Sequence, residues 1–196
     1  MKEKNKINGD LVLEKDTVFR RGITVNGSIR GEYNLIVGGN LKAKNISVGN
    51  LWVYDNITAE NIKARDVRAD GDISATDISA EDVSAKDIKA WHILARDISA
   101  EDVKAVNIVA GDISVRDIES VMDISARDIE AADISASKIV AEDILANNIV
   151  ARNITARGIS YYAVCYAYDS IKCRSIAGRR EHAKHFVLDG KITIEG

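Results

Sequence analysis

The residue types best suited to metal binding and nucleophilic chemistry gather near the C-terminus. Cys165, Cys173, His182 and His185 lie within one short segment, and two thiols with two imidazoles are a possible zinc set. The cysteines are eight residues apart, however, and do not form the Cys-x-x-Cys pair typical of structural zinc sites. A Cys–His catalytic pair is a further alternative. We expect instead that Cys173 is a buried, unreactive thiol.

A regular series of aspartates is the second feature that could carry chemistry. Residues 57–160 hold 20 acidic and 12 basic side chains, a net charge of −8, within a chain whose net charge is −3. Calcium-binding β-rolls need a glycine-rich nine-residue repeat, which is absent. The carboxylates repeat uniformly, so no two of them are expected to have surroundings that would move their pKa values apart, as a general acid and a general base require. We therefore expect a chain that is not an enzyme and that needs no cofactor or metal. The possible acidic surface is Asp77, Asp82, Asp87, Asp97, Asp102, Asp112 and Asp117.

These aspartates belong to tandem repeats that run through most of the chain. Between Ile57 and Ile159 a β-branched residue returns 21 times, at a step of five residues with two steps of six. The residue before this β-branched residue is Asp or Asn in all but three repeats, and the residue two positions after it is Ala in all but three. The unit is therefore Ile-x-Ala-x-Asp. The positions are 57, 62, 67, 73, 78, 83, 88, 93, 98, 103, 108, 113, 118, 124, 129, 134, 139, 144, 149, 154 and 159.

The period of five excludes an amphipathic helix. Five residues advance about 500° around an α-helix, so successive Ile side chains would point to every face. In an extended segment, by contrast, residues i and i+2 share a face, so Ile and the following Ala both point inward. The x-Asp pair then falls at a corner, where the carboxylate can accept hydrogen bonds from nearby amides. Each unit is predicted to be a short strand and a corner.

Such units wind into a solenoid whose inward residues stack from coil to coil. We predict an all-β parallel β-helix, with four five-residue sides and a coil of about twenty residues. Upstream, Ile23, Ile29, Leu35 and Leu41 are six apart and the segment is rich in glycine, which suggests wider turns. Insertions at Asp70-Gly71 and Val121-Met122 are predicted to be small corner bulges.

Residues 40–176 resemble the pentapeptide-repeat family, because Asp precedes the large apolar residue as in Ala85-Lys86-Asp87-Ile88-Lys89. The resemblance implies a right-handed, four-sided β-helix. The family's small residue usually stands two before the apolar one, whereas here Ala85 stands three before Ile88. Residues 20–60, with Gly27-Ser28-Ile29-Arg30-Gly31 and the six-residue spacing, resemble bactofilins, which are polymer-forming β-helix proteins.

The pentapeptide-repeat resemblance gives the aspartates a functional interpretation. Some members of that family resemble DNA in shape and charge and bind type II topoisomerases. The alternative is that each Asp only completes a corner, while the interspersed Lys and Arg dilute its field. We favour turn formation over DNA mimicry.

The repeat pattern fails near its C-terminal end, and we expect the informative residues there. Tyr161, Tyr162, Tyr166 and Tyr168 replace small residues and suggest a plug of the solenoid interior. Val164 keeps the step of five, Ile171 breaks it, and the segment 186–194 is predicted to be a hairpin around Asp189-Gly190. We expect this segment to cap the solenoid or to mediate self-association. The alternative is that its residues bind a specific partner. The candidate surface is Tyr161, Tyr162, Tyr166, Tyr168, Arg179, Arg180 and His182, with Lys184 as a further basic residue.

The sequence thus predicts four regions: a terminal segment or cap over 1–17, glycine-rich coils over 18–56, regular repeats over 57–176 and a cap or self-association segment over 177–196. No stretch approaches the roughly eighteen to twenty apolar residues of a membrane span, and two cysteines are too few for a disulfide scaffold. We expect a cytoplasmic homo-oligomer associated through an end, with no membrane or direct nucleic-acid binding. The functional hypotheses are a structural or interaction module, a topoisomerase-binding DNA mimic, and a filament-forming scaffold. Trp52 and Trp91 are predicted to point outward.

Overall fold

The structure, a computed structural model, describes residues 5–120 and 122–195, in which every regular element is a β-strand. The chain divides into two compact units, Met1–Ala100 and Glu101–Gly196. Among the described residues, no helix has the length and apolar character needed to cross a membrane.

The strands are short where bends interrupt them and long where the extended backbone continues around the corners. In chain order they are β1 Asn5–Ile7, β2 Leu11–Val12, β3 Thr17–Phe19, β4 Ile23–Val25, β5 Ile29–Arg30, β6 Leu35–Val37, β7 Leu41–Lys42, β8 Asn45–Ser47, β9 Leu51–Val53, β10 Ile57–Thr58, β11 Asn61–Lys63, β12 Asp66–Ala69, β13 Ile73–Ser74, β14 Asp77–Ser79, β15 Asp82–Ser84, β16 Asp87–Lys89, β17 His92–Ala105, β18 Asn107–Ser120, β19 Asp123–Ser125, β20 Asp128–Cys173, β21 Ser175–Gly178, β22 Lys184–Val187 and β23 Lys191–Ile194.

In the first unit, each strand from β1 to β14 pairs in parallel with the strand three places further along the chain, and β15 pairs with β17. Strand β7 pairs with β10, and β10 pairs in turn with β13. Residues of equal rank in the repeat are therefore stacked: Leu41 lies beside Ile57, and Ile57 beside Ile73. Parallel pairing of successive coils is the defining feature of a β-solenoid, so the predicted fold is confirmed.

The spacing between paired residues indicates how many repeats make one coil, for which four were predicted. Ile23 pairs with Leu41, eighteen residues later, in the coils with six-residue sides. Ile73 pairs with Ile88, fifteen residues later, in the coils with five-residue sides. Both intervals contain three repeats. The pairings therefore do not confirm a coil of about twenty residues, and a three-repeat coil describes these ladders.

The interior of these coils is filled by one large side chain from each side. Each side supplies one large inward residue, and Ile57, Ile62 and Val67 on consecutive sides are each no more than 1% exposed. The Ala two positions later lies close to the corner: Ala69 is buried and Ala75 only half-buried. Three β-branched side chains with corner alanines fill the cross-section of such a coil.

The second unit has the same parallel ladder. Ile108 lies beside Ile124, and Ile124 beside Ile139, fifteen residues later. Neighbouring columns contain Ile113 beside Ile129 and Ile118 beside Ile134. These isoleucines are at most 2% exposed, so each contributes about 1.5–3 kcal/mol through burial before conformational entropy is subtracted.

The extra residue at Asp70-Gly71 forms a bend at a corner, as predicted. It lengthens one side to six residues, so Ile57 pairs with Ile73 at a spacing of sixteen without leaving its column. The second predicted bulge includes Val121, which lies outside the described residues. Its described neighbour Met122 donates its amide hydrogen to the carbonyl oxygen of Val106 at 3.0 Å.

Candidate interaction surface at the C-terminal coils

The inward positions change their spacing near the end of the regular repeats. Ile159, Cys165 and Ile171 are buried and six residues apart, whereas Val164 is only half-buried. The prediction that Val164 continues the inward series is therefore wrong. Six-residue sides move Cys165 into the column, and this shift also explains why Ile171 departs from the step of five. The residues two places later, Tyr161, Ala167 and Cys173, are buried as well.

Tyr161 fills the interior at a position that alanine occupies in the regular repeats. Its side chain is 1% exposed, and its hydroxyl lies 2.7 Å from Nδ1 of His185. The two rings meet edge to face with centroids 5.9 Å apart. Gly178 passes directly over the ring, since a Cβ atom there would lie 3.1 Å from the Tyr161 hydroxyl and 2.3 Å from Cβ of Ala183. The tyrosine thus occupies the interior just below the last coil.

Burial makes the two cysteines poor nucleophiles and poor metal ligands. Cys165 is 0% and Cys173 2% exposed, and both are free thiols. Burial, together with the nearby Cys173, raises the pKa of Cys165 to about 12, and burial also raises the pKa of Cys173. With raised pKa values both thiols stay protonated at neutral pH. The thiolate is the reactive and metal-binding form, so neither cysteine is suited to either role. Cys173 has the buried inward position predicted for it.

The four possible zinc ligands do not come together in the described residues, where no group of three or more His, Cys, Asp and Glu side chains could hold a metal. His185 contacts Tyr161. His182 is exposed beside Glu181, with Nε2 3.7 Å from the carboxylate, and has a φ of 63° in the turn between β21 and β22.

The predicted hairpin over 186–194 is wrong. Strands β22 and β23 both pair in parallel with β20, through Ala167 beside Val187 and Ile171 beside Ile192. The Asp189-Gly190 turn is instead a corner of one more coil. It lies so close to the coil below that a Cβ at Gly190 would be 1.7 Å from the carbonyl oxygen of Asp169. Strand pairing with the exposed edge of β20 satisfies backbone groups that a separate hairpin would leave unpaired.

The last coil exposes apolar side chains around an open strand edge. Ile194 lies beside the buried Cys173 in the ladder but is 60% exposed, and Leu188 at the corner is 64% exposed. Ile192 and Val187 are half-buried. Within residues 5–120 and 122–195, β22 and β23 pair on one side only, with β20. We define Val187, Leu188, Ile192 and Ile194 as the terminal apolar edge.

The candidate aromatic and basic residues lie in different environments. Tyr162 is 49% and Tyr168 44% exposed. The guanidinium of Arg180 lies over the Tyr162 ring at 5.8 Å from its centroid, and Tyr166 packs on Phe186 with centroids 4.9 Å apart.

Arg179 anchors the segment between β21 and β22 to the body of the unit. Its guanidinium donates a hydrogen bond to the carbonyl of Ala146 at 2.8 Å, and its amide donates to the carbonyl of Tyr161 at 2.7 Å. Arg179 therefore has a structural contact, which leaves Arg180 as the more accessible cation of the pair.

The predicted acidic surface is a set of stacked aspartates interleaved with arginines. Asp82 lies beside Asp97 in the ladder, and Asp112 beside Asp128. Arg96, which precedes Asp97, reaches Asp82 at 2.7 Å and Glu81 at 3.4 Å. Equivalent pairs are Arg116 with Asp102, Arg127 with Asp112, and Arg157 with Asp143. Their hydrogen bonds and charges raise the pKa values of these arginines.

The prediction that acidic and amide side chains bind corner amides holds in the first coils. Asp10 Oδ1 accepts from the Ser28 amide at 2.8 Å, and Asn56 Oδ1 from the Asp72 amide at 2.7 Å. In the regular repeats the arginine pairs described above are the principal contacts. Asp77 and Asp87, and likewise Asp112, each have one buried oxygen without a hydrogen-bond partner in the described part of the chain.

Sequence reasoning missed Phe186, Leu188 and Ile194 as exposed side chains. The segment 186–194 alternates apolar and polar residues at the end of the repeats, a pattern shared by a hairpin and by an added coil. The signal that could have separated the two is the sequence spacing. Cys165 and His185 are twenty residues apart, and Ile171 and Ile192 are twenty-one residues apart. These spacings suit one coil with two lengthened corners.

Comparison of the chain with protein-family models, with curated proteins and with solved structures finds no match.

Proposed function

We propose that the chain is a non-catalytic structural and interaction module that binds a second copy of itself through the terminal apolar edge. The observation that supports this most directly is Ile194. Ile194 lies above the buried Cys173 in an interior column, yet its side chain is 60% exposed. The strand that carries it has no second pairing partner among the described residues. An open edge with apolar side chains is a surface on which another chain can pair.

The chemistry of the edge suits a protein partner. Backbone amides and carbonyls along β22 and β23 offer hydrogen bonds, and Ile192 with Ile194 offers apolar area. In the same unit Arg180 and Tyr162 form a cation–π pair, and these residue types are enriched in protein interfaces. A second copy that meets the same edge would give a closed dimer, the commonest form of oligomer.

A filament-forming scaffold is the second candidate, supported by a second strand edge that has no partner among residues 5–120 and 122–195. Strands β1, β2 and β3 pair on one side with β4, β5 and β6. Val12 and Val18 on these strands are 66% and 63% exposed. If this edge binds the terminal apolar edge of the next copy, two different surfaces meet and the assembly does not close.

Light scattering after size-exclusion chromatography tests the proposal. We expect an oligomer for the unchanged chain and a monomer for Ile194→Asp and Leu188→Asp, because a carboxylate in the contact must be desolvated without a partner. Val109→Asp is the matched control, since Val109 in the same unit is 49% exposed and lies beside Ser125 in the ladder, not on the edge. It should leave the oligomer unchanged.

A strict monomer at high protein concentration would contradict association through an end. A dimer supports the closed arrangement, whereas a broad series of larger species supports the filament, which electron microscopy would then show directly.

A DNA mimic that binds a type II topoisomerase remains an alternative prediction. The interleaved arginines weaken its basis, because Arg96, Arg116 and Arg157 each lie across an aspartate of the column and reduce the acidic field. A supercoiling assay tests it, and inhibition at micromolar protein would favour the mimic over the module.

A further inference from the structure

The outward residues of the first unit form three rows, one on each side of the coil, and one row differs from the others. In two rows the side chains next to each other in the ladder are mostly polar, as in Thr24 beside Lys42 and Lys63 beside Ser79. In the third row, Val18 lies beside Ile36, Ile36 beside Trp52, and Trp52 beside Arg68. The third row is therefore apolar from Val18 to Trp52 and becomes charged at Arg68.

Trp52 is one wall of a small cleft that is built on two successive coils. Trp52 and Tyr54 come from one coil, and Arg68 and Asp70 come from the next, with Trp52 in register with Arg68. The cleft has a volume of about 200 Å³ and is also lined by Val53. Nε of Arg68 lies 3.5 Å from Oδ1 of Asp70. Two aromatic side chains thus face an ion pair.

Packing of the interior does not account for these aromatic side chains. Leu51 and Val53 supply the buried residues of this side, at 0% and 2% exposure, whereas Trp52 is 47% and Tyr54 64% exposed. The corners are held by backbone hydrogen bonds, from the Tyr54 amide to the Val37 carbonyl and from the Asp70 amide to the Val53 carbonyl. The ladder would form equally well with serine at position 52, as it does at Ser84 on the same row.

The charges of the cleft indicate what it could bind. Arg68 and Asp70 neutralise each other, so the cleft favours neither a phosphate nor an ammonium group. Together they present donors and an acceptor side by side, which matches hydroxyl groups because each hydroxyl both donates and accepts. The exposed aromatic side chains provide an apolar platform, and apolar surface with a few oriented polar groups is the kind of lining that small-ligand sites use.

We propose that Trp52, Tyr54, Arg68 and Asp70 bind one ring of a neutral oligosaccharide. The apolar C–H face of the sugar ring lies on the aromatic side chains, and its hydroxyl groups bond to the guanidinium and the carboxylate. The volume of the cleft suits a single ring with its neighbours extending outward. This site shares no residue with the terminal apolar edge and does not depend on self-association.

Tryptophan fluorescence tests the proposal with the full chain in a Trp91→Phe background, in which Trp52 is the remaining tryptophan. The probes are cellohexaose, maltohexaose and chitohexaose. We expect a saturable change in Trp52 emission with at least one of them. Calorimetry on the unchanged chain should show the same binding, weakened about tenfold or more by Trp52→Ala and by Tyr54→Ala, since a tenfold change corresponds to about 1.4 kcal/mol.

Trp91→Ala is the matched control, because Trp91 is exposed but lies outside the cleft, and it should bind as the unchanged chain does. Circular dichroism should show that all variants keep their strands. No saturable binding of any of the three probes would overturn the proposal. So would equal binding by Trp52→Ala, or tighter binding of adenosine monophosphate or choline than of the sugars.

Discussion

The hydroxyl of Tyr161 lies 2.7 Å from Nδ1 of His185, and this contact joins the side chain that fills the interior to the last coil that covers it. Tyr161→Phe removes the hydrogen bond and keeps the ring, so we expect the free energy of unfolding to fall by about 1 kcal/mol. Tyr161→Ala also leaves a cavity and should cost about 3–5 kcal/mol. Chemical denaturation measures both. In a double-mutant cycle with His185→Ala, strictly additive effects would show that the contact contributes nothing.

The inward and outward positions of one repeat should differ sharply in their response to truncation. Ile73 is 1% exposed, whereas its neighbour Ser74 points outward and is exposed. We expect Ile73→Ala to lower the free energy of unfolding by about 2–5 kcal/mol and Ser74→Ala to change it by less than about 0.5 kcal/mol. Similar losses at both positions, measured by urea denaturation, would be inconsistent with the column assignment.

Arg116, one of the arginines interleaved with the aspartates, should stabilise the fold only through electrostatic attraction that salt screens. Arg116 pairs with Asp102 at 2.7 Å and with Glu101 at 3.4 Å, and all three side chains are substantially exposed. We expect Arg116→Gln to lower the melting temperature by no more than about 2 °C at low salt. The difference should shrink in 1 M salt, where the screening length is about 3 Å. Lys89→Gln, at an exposed position on the first unit, is the control, and an effect of Arg116→Gln that is independent of salt would argue against the ion pairs.

The two buried thiols should be unreactive until the chain unfolds. Burial raises the pKa of Cys165 from its ordinary value of 9.0 to about 12, so the folded thiol stays neutral at pH 8. We expect a thiol reagent such as dithionitrobenzoate to label neither cysteine in the folded chain and both in guanidinium chloride. Because the folded pKa is raised, the contribution of the neutral thiol to stability is complete below pH 9 and is lost as the pH rises towards 12. Rapid labelling of the folded chain would contradict the buried positions.

The regular part of the fold could be predicted because one pattern specifies it many times. Ile57, Ile73 and Ile88 each repeat the same evidence for an inward position, and all of them are buried in one column. Trp52 and Trp91 point outward as predicted, with 47% and 64% of their surface exposed. Alternation of side chains along a strand depends on local geometry alone, which a sequence shows directly.

The number of sides in a coil could not be predicted in the same way. The period of five specifies one side, but the angle at each corner depends on how the interior is filled by residues of neighbouring coils. Ile73 meets Ile88 after three repeats because three such side chains suffice to fill the cross-section. No single repeat carries that information.

The C-terminal coil was harder to predict because each of its features occurs once. Val164 and Cys165 are both suitable inward residues, and only the six-residue side places Cys165 in the column. Asp189-Gly190 suits a hairpin turn as well as a corner, and the choice is made by the unpaired edge of β20, which lies far away in the sequence. Contacts between distant segments decided both cases.

The corner at Asp70-Gly71 shows that a coil can gain one residue while the column above it stays aligned. Changes in chain length should therefore be tolerated in two sizes within the regular part of a unit. A single residue added at a corner is absorbed where it occurs, and a gain or loss of three whole repeats adds or removes one layer. Loss of a single repeat is different: every later side would turn onto a different face, so a surface such as the Trp52 cleft would be divided between faces although every repeat remained well formed.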